Sequence, residues 1–375
     1  MKNFRTYHLI NILNAFDTSF LPLDVFLSQF FRSHKAIGSK DRSYICEKIY
    51  ALIRWKSLLD YFCKKPVTWE KRLQLLEQED LGVLQKNPSL PPHIQLSCPY
   101  PLFNKLLQAF GPQKTEQFCK VSNTQAPTTV RINALKTTRD HLLQLWQPQY
   151  DIEICRQSPH GISFKKRINF FELQEFKNGL FEIQDEGSQL VALQMQVQPS
   201  DHVLDFCAGA GGKTLALAPK MQGKGQLYLY DIRPHALLQA KKRLKRAGIQ
   251  NAQYLTIPLL KKKSLIKRMD WILLDVPCSG TGTLRRNPDM KWQFSNDTVV
   301  RLVEEQRAIF EKALPYLAPG GHIVYATCSV LPEENLQQVH YFIEKYGLKL
   351  ATPPLVTFPE EGGMDGFFAA TLIRV

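Results

Sequence analysis

The sequence predicts an α/β protein whose main domain is a Rossmann-like sheet of parallel strands wound on both faces. An N-terminal helical domain and a small α/β subdomain precede it. Three observations predict this. From Gln198 onward, short apolar segments alternate with amphipathic ones, as βαβ units require. The segment Trp271-Ile-Leu-Leu274 is continuously apolar, as a strand covered on both faces must be. Residues 1 to about 110 instead place apolar residues at helical spacing.

In the first domain, 1–110, Leu9, Ile12, Leu13 and Phe16 share one helix face, and Ile45, Ile49, Leu52 and Ile53 another. Basic and aromatic residues interleave at Arg42, Tyr44, Arg54, Trp55 and Lys56. An RNA-facing surface and the solvated basic face of a bundle both fit that pattern. Between Asn87 and Pro101 stand Pro88, Pro91, Pro92, Pro99 and Pro101, which mark a linker or an irregular crossing. The subdomain, 111–185, combines the β-rich Thr128–Asn133 and a helix at His141–Trp146 with strands at Ile152–Ile154 and Gly161–Phe164. In the main domain, 186–375, strands are expected at His202–Cys207, Gln226–Ile232, Ala252–Ile257, Trp271–Val276 and His322–Thr327. Helices are expected at Pro234–Ala247 and Thr298–Leu317.

Lysine and arginine total 48 against 34 aspartates and glutamates, a net charge of +14 in 375 residues. Such an excess attracts polyanions through counterion release, so RNA, DNA or an acidic lipid surface is the expected partner class. A basic protein with no such partner is the alternative. No apolar run reaches the ~18 residues of a membrane span, and Asn11, Asn14 and Asp17 interrupt any leader-like apolar stretch. The expectation is a soluble, cytoplasmic monomer. None of the eight cysteines forms a CxxC pair, so neither a zinc framework nor another metal site is expected. Most should be small buried hydrophobes.

Ligands of such sheets bind beyond the carboxyl ends of the strands. Asp205-Phe-Cys-Ala-Gly-Ala-Gly-Gly-Lys-Thr214 lies there, between the first strand and a helix. Its glycines allow close backbone approach, and the helix N-terminus offers free N–H donors. Neither GxxxxGK[ST] nor GxGxxG is satisfied, because position 207 is Cys and the last glycine of the second pattern is missing. Asp231, at the end of the second strand, can accept from both ribose hydroxyls of an adenosine, or cap the helix before Pro234. These features alone leave NAD and S-adenosylmethionine open. Cys278, in Asp275-Val-Pro-Cys-Ser-Gly-Thr-Gly282, and Cys328, in Ala326-Thr-Cys-Ser-Val330, follow the fourth and fifth strands. Neighbouring strands lie ~4.8 Å apart, so the two loops share one cleft if those strands are adjacent. The residues do not choose between the two cysteines.

These motifs resemble the Sun/Fmu (RsmB-like) family of RNA (cytosine-C5) methyltransferases. The resemblance rests on Asp-x-Pro-Cys-Ser-Gly-x-Gly at 275–282, Thr-Cys-Ser at 327–329 and Asp365-Gly-Phe-Phe-Ala-Ala370. Thr129-Val-Arg-Ile-Asn-Ala-Leu-Lys136 and Phe181-Glu-Ile-Gln-Asp-Glu-Gly-Ser-Gln-Leu190 add to it. It implies a class I methyltransferase core and S-adenosylmethionine as cofactor, with contacts at Cys207, Ala208, Gly209, Ala210, Gly211, Gly212, Lys213, Asp231, Arg233 and Asp275. It implies Cys328 as the nucleophile and Cys278 as the residue that assists release of the product. Attack of a thiolate on carbon 6 of cytosine makes carbon 5 electron-rich enough to take a methyl group. A nearby cation should stabilise that thiolate, with Lys213 the candidate. Asp275 would bond the cytosine edge. Lys40-Asp-Arg-Ser-Tyr44 and Tyr50-Ala-Leu-Ile-Arg54 resemble the NusB-like, RNA-binding domain of ribosomal enzymes of the family, which makes ribosomal RNA the expected substrate. Transfer RNA, and a silent RNA-binding assembly factor of the same fold, are the alternatives. The chain departs from the family in two places. Ala210 stands where a proline is usual, and Leu255-Thr-Ile-Pro-Leu-Leu260 lacks the acid expected after the third strand.

Overall fold

Alternation along each central strand sorts its side chains onto two apolar layers. Val203, Leu227, Leu229, Trp271, Leu273 and Val324 enter one core cluster. Their neighbours Leu204, Ile272, Leu274, Ile323 and Tyr325 enter the other. The computed structural model that shows this describes residues 3–260 and 262–374. The chain divides into two compact units.

One unit holds the chain up to Gln125 together with Thr283–Asn296. Its main helices are Phe4–Phe16, Leu23–Ser33, Ser39–Arg54, Trp69–Gln78 and Tyr100–Ser122. Leu9, Ile12, Leu13, Phe16, Ile45, Ile49, Leu52 and Ile53 all lie in its core, as their spacing predicts. Part of the basic and aromatic interleaving is used internally. Arg54 Nη2 donates to Arg285 O at 2.9 Å, and the Arg42 guanidinium lies 5.6 Å from the Phe31 ring. The proline-rich stretch contains a helical turn, Pro92–Gln95, and then starts the long helix, where Pro101 needs no N–H partner. That helix breaks at Gly111 (φ 74°) before Pro112. The boundary expected near 110 falls at this kink, yet the unit continues to Gln125. The reason is that Phe118, Cys119 and Val121 are buried and Asn123 Nδ2 donates to Leu96 O at 2.6 Å. The inclusion of 283–296, unforeseen in the sequence, rests on Lys291. Its buried ammonium donates to Arg54 O (2.7 Å), Ser97 O (2.6 Å) and Asn123 Oδ1 (2.8 Å).

The other unit contains two sheets. The smaller is antiparallel, in the order β2-β3-β1-β4, from β1 (Thr128–Ile132), β2 (Ile152–Ile154), β3 (Gly161–Phe164) and β4 (Phe181–Ile183). The larger runs β10-β12-β9-β8-β5-β6-β7. Its strands are β5 (His202–Asp205), β6 (Gln226–Tyr230), β7 (Ala252–Leu255), β8 (Met269–Asp275), β9 (Leu317–Thr327), β10 (Leu348–Leu350) and β12 (Phe368–Arg374), with β11 (Leu355–Val356) paired to β12. The sheet from β7 to β9 is parallel, as expected. Beyond the expected strands the sheet continues at one edge, where β12 runs antiparallel to β9 and β10. Order reverses at β5, which lies between β6 and β8. The loops after β5, β6 and β8 therefore meet at the switch point where such folds bind ligands. No helix among the described residues is long and apolar enough to cross a membrane.

Candidate active site

The loop after β5 is built to turn sharply into the helix Gly212–Met221. Gly211 adopts φ 76°, open to glycine at no cost. A Cβ there would also stand 2.9 Å from Leu244 Cδ1, so the glycine permits the helix Pro234–Ala247 to pack close. Ala208 N donates to Tyr230 O and Gly211 N to Ala208 O, which closes the loop on itself. Three side chains hold it from outside. Arg131 Nη1 donates to Gly212 O (3.1 Å), Gln184 Nε2 to the same oxygen (3.3 Å), and Arg243 Nη1 to Ala210 O (2.9 Å). Arg131 is buried, and burial lowers its pKa to about 9. The Cys207 thiol is pushed up, first by burial and then by the charges of Asp205, Asp275 and Asp231.

Asp205 is buried. Its Oδ2 accepts from Thr214 Oγ1 at 2.6 Å, and its Oδ1 has no hydrogen-bond partner among the described residues. Burial raises its pKa to about 7 against the lowering effect of the Thr214 bond. Asp231 accepts from Gly209 N (2.8 Å), Arg233 N (2.9 Å), Arg233 Nε (3.0 Å) and Arg233 Nη2 (3.1 Å). A carboxylate offers about four acceptor sites. Asp231 therefore organises the loop itself, and a ribose would have to take the place of the Arg233 side chain. The alternative reading of Asp231 as the cap of the helix before Pro234 is corrected: Arg233 is the N-cap residue and no side chain caps that helix, while Asp231 bonds Arg233 N in the turn that precedes it. Burial acts to raise the Asp231 pKa, but the Arg233 and Gly209 bonds prevail and hold it below the usual value. Beyond β7, Thr256 is exposed and no acid stands near it in sequence.

The register of β8 with β9 pairs Asp275 with Ala326, so Cys278 and Cys328 leave neighbouring strands at matching heights. Their sulfurs lie 3.3 Å apart and neither is in a disulfide. The Cys278 thiol is pushed well up by its hydrogen bond with Cys328, by burial, and by the charges of Cys328 and Glu334. Lys213, in the first turn of its helix, donates Nζ to Asp275 Oδ2 at 2.5 Å. Burial acts to lower its pKa, but the charge and bond of Asp275, with the charges of Cys328 and Asp205, leave it raised. The candidate cation and the candidate base-edge acid are thus bonded to each other. Of the other cysteines, Cys98, Cys119 and Cys155 are buried.

Distant motifs meet around this pair. Gly282 N donates to Cys328 O and Gly366 N to Gly282 O, each at 2.9 Å. A Cβ on Gly282 would lie 2.0 Å from Gly366 O, so only glycine fits there. Asp365 N donates to Asp185 Oδ1 at 3.2 Å, and the Phe367 ring centre is 5.9 Å from Lys213 Nζ. Sequence reasoning missed Glu334, and met Arg131 and Phe367 only within motifs quoted for resemblance. Nothing in their local spacing signals a role.

Comparison with known proteins decides the family. A profile described as 16S rRNA methyltransferase RsmB/F matches residues 192–373, and one for the RsmF/B-like ferredoxin-like domain matches 98–170. The chain is 31% identical over 325 residues to the probable ribosomal RNA small subunit methyltransferase B of Synechocystis, covering 80% of this chain and 72% of that one. The chain belongs to the RsmB/F family of 16S rRNA methyltransferases. Ribosomal RNA small subunit methyltransferase B of Pseudomonas putida, another RsmB/F relative, is 32% identical over 72% of this chain and 65% of its own length. The chain therefore spans a little under two thirds of that relative. The fold is shared with a methyltransferase homolog protein from Pyrococcus horikoshii, at TM-score 0.67 and 24% identity, covering 77% of this chain and 100% of that one.

Proposed function

We propose that this chain moves a methyl group from S-adenosylmethionine to carbon 5 of a cytosine in small-subunit ribosomal RNA, with Cys328 as nucleophile. The observation that carries the reading is the pair of sulfurs 3.3 Å apart beside the Lys213–Asp275 ion pair, at the switch point of the sheet. The residues fit an adenosyl cofactor. Gly209 leaves open space, since a Cβ there would meet only Arg233 Nη2 at 3.8 Å. Asp205 Oδ1 is a buried acceptor without a donor among the described residues. Ile232 and Ile257 expose apolar side chains just beyond β6 and β7, where an adenine would lie. Asp231 would hold the ribose hydroxyls in place of the Arg233 side chain it now bonds.

S-adenosylmethionine supplies an electrophilic methyl group on a sulfonium. The Cys328 thiolate adds to carbon 6 of the base, and the electrons of the 5,6 double bond make carbon 5 the nucleophile. Asp275 Oδ1 accepts from the exocyclic amine. Lys213, held on Oδ2, offsets the negative charge that gathers in the ring. After methylation, carbon 5 gives its proton to a solvent water, the C5–H electron pair re-forms the double bond, and the S–C6 bond breaks with return of the thiolate. Cys278 hydrogen-bonds the departing Cys328 sulfur and so assists release. The test is bisulfite sequencing of unmodified small-subunit rRNA incubated with the protein and cofactor. One new 5-methylcytosine is expected, and transfer to transfer RNA alone, or to neither, counts against this assignment.

A further inference from the structure

The two cysteine loops meet in a joint of hydroxyl groups that the proposed chemistry leaves unused. Ser279 Oγ lies 3.2 Å from Thr281 Oγ1 and 3.2 Å from Ser329 Oγ, and the last two are 3.1 Å apart. Glu334, wholly buried, closes the joint. Its Oε1 accepts from Ser279 N (2.8 Å) and Gln306 Nε2 (3.1 Å), and its Oε2 accepts from Ser279 Oγ (2.5 Å). Every partner donates, which suits the acceptor-only, ionised carboxylate. Gln306 Nε2 also donates to Pro277 O at 3.1 Å. Both residues flanking Cys278 are therefore held, Ser279 by Glu334 and Pro277 by Gln306. Tyr325 OH donates to Glu334 O (2.7 Å) and to Gln306 Oε1 (3.0 Å), which anchors the assembly on β9.

We propose that Glu334 is a positioning residue that sorts the two thiols, clamping the Cys278 loop and placing fixed negative charge beside it so that the anionic sulfur is Cys328. This rests on reading the cysteines as a nucleophile and a releasing partner. Two sulfurs at 3.3 Å cannot both carry charge at neutral pH, so once the pair gives up one proton the surroundings decide which sulfur keeps the other. Of the groups that act on Cys278 among the described residues, Cys328 and Glu334 oppose negative charge there, Tyr325 stands near without positive charge, and the Gly280 backbone N–H bond is the one that favours it. Negative charge at Cys328 has the Lys213 ammonium as its partner. The proton then stays on Cys278 and points at the Cys328 sulfur, a hydrogen bond that stabilises the nucleophile before substrate arrives.

Alkylation by iodoacetamide across pH, read cysteine by cysteine in the full chain by mass spectrometry, tests this without RNA or cofactor. In the wild type Cys328 should react first as pH rises and Cys278 at distinctly higher pH. The reverse order overturns the proposal. Glu334→Gln keeps the size and an acceptor but removes the charge. The Cys278 profile should move to lower pH, raising its labelling about tenfold at a given pH on the rising limb, where one pKa unit is a factor of ten. A purely structural Glu334 would change labelling rates without moving the pH midpoint, and an unmoved midpoint overturns the proposal. If Glu334→Gln does not fold, the wild-type order still decides. Methyl transfer by Cys328→Ala would sink the assigned nucleophile, whatever the alkylation order.

Discussion

Lys213 Nζ and Asp275 Oδ2 are joined across 2.5 Å, which ties the first turn of the helix after β5 to the end of β8. Side-chain exposure is 10% for the lysine and 31% for the aspartate, so the pair is screened little on its lysine side. Asp275→Asn removes the charge partner and leaves a buried ammonium uncompensated. Methyl transfer should fall at least ~100-fold, the scale for loss of one charge-stabilising group. Single-turnover kinetics should place the loss in the chemical step, with cofactor affinity changing far less.

The two sulfurs should give opposite outcomes. Cys328→Ala is expected to abolish transfer and form no RNA adduct. Cys278→Ala is expected to accumulate a covalent complex that survives denaturing electrophoresis. An active Cys328→Ala protein contradicts the assignment.

Asp231→Ala removes the acceptor proposed for the ribose. Hydrogen bonds to charged groups contribute ~1.5–3 kcal/mol, so S-adenosylmethionine should bind roughly 10–100-fold more weakly in calorimetry. Arg233→Ala frees the same oxygens and should not weaken binding on that scale. An equal loss in both variants would show that the loop, not the carboxylate contact, sets affinity.

Glu182, nearly buried on β4, accepts from Arg243 Nη2 at 3.0 Å and also bonds Arg246. It joins the small sheet to the helix Pro234–Ala247. Glu182→Ala leaves two partly buried guanidinium groups without their partner, with Arg131 nearby. Removing one member of a buried pair costs about 3–5 kcal/mol, and the denaturant midpoint should fall accordingly.

Asp205 gives a pH dependence. Burial raises its folded pKa to about 7, above the unfolded value. Its contribution to stability is fully present below ~3.9 and is lost as pH rises through about 7. Asp205→Asn does not titrate. The change in unfolding free energy from pH 5 to pH 8 should therefore be more favourable in the variant than in the wild type, by ~1 kcal/mol or more. Equal changes in the two proteins would remove burial of Asp205 as a cause.

Local pattern by itself determined much of this protein. Helical spacing placed Leu9, Ile12 and Ile49 in a core, apolar runs placed the parallel strands, and strand-end motifs reduced eight cysteines to two. These properties depend on residues a few positions apart, and backbone periodicity encodes them directly. Tertiary structure decided the rest. Cys278 and Cys328 are 50 residues apart, Lys213 and Asp275 are 62, and Ser279 and Glu334 are 55. No period in the chain records such pairings, which arise only when β8 pairs with β5 on one side and β9 on the other. The same holds for Asp231, whose carboxylate is taken up by Arg233 and Gly209 only once the loop has closed. It holds too for Lys291, whose position in the helical unit is set by three acceptors far away in sequence. Burial then gave those contacts their strength, because charges and hydrogen bonds gain weight where water is excluded.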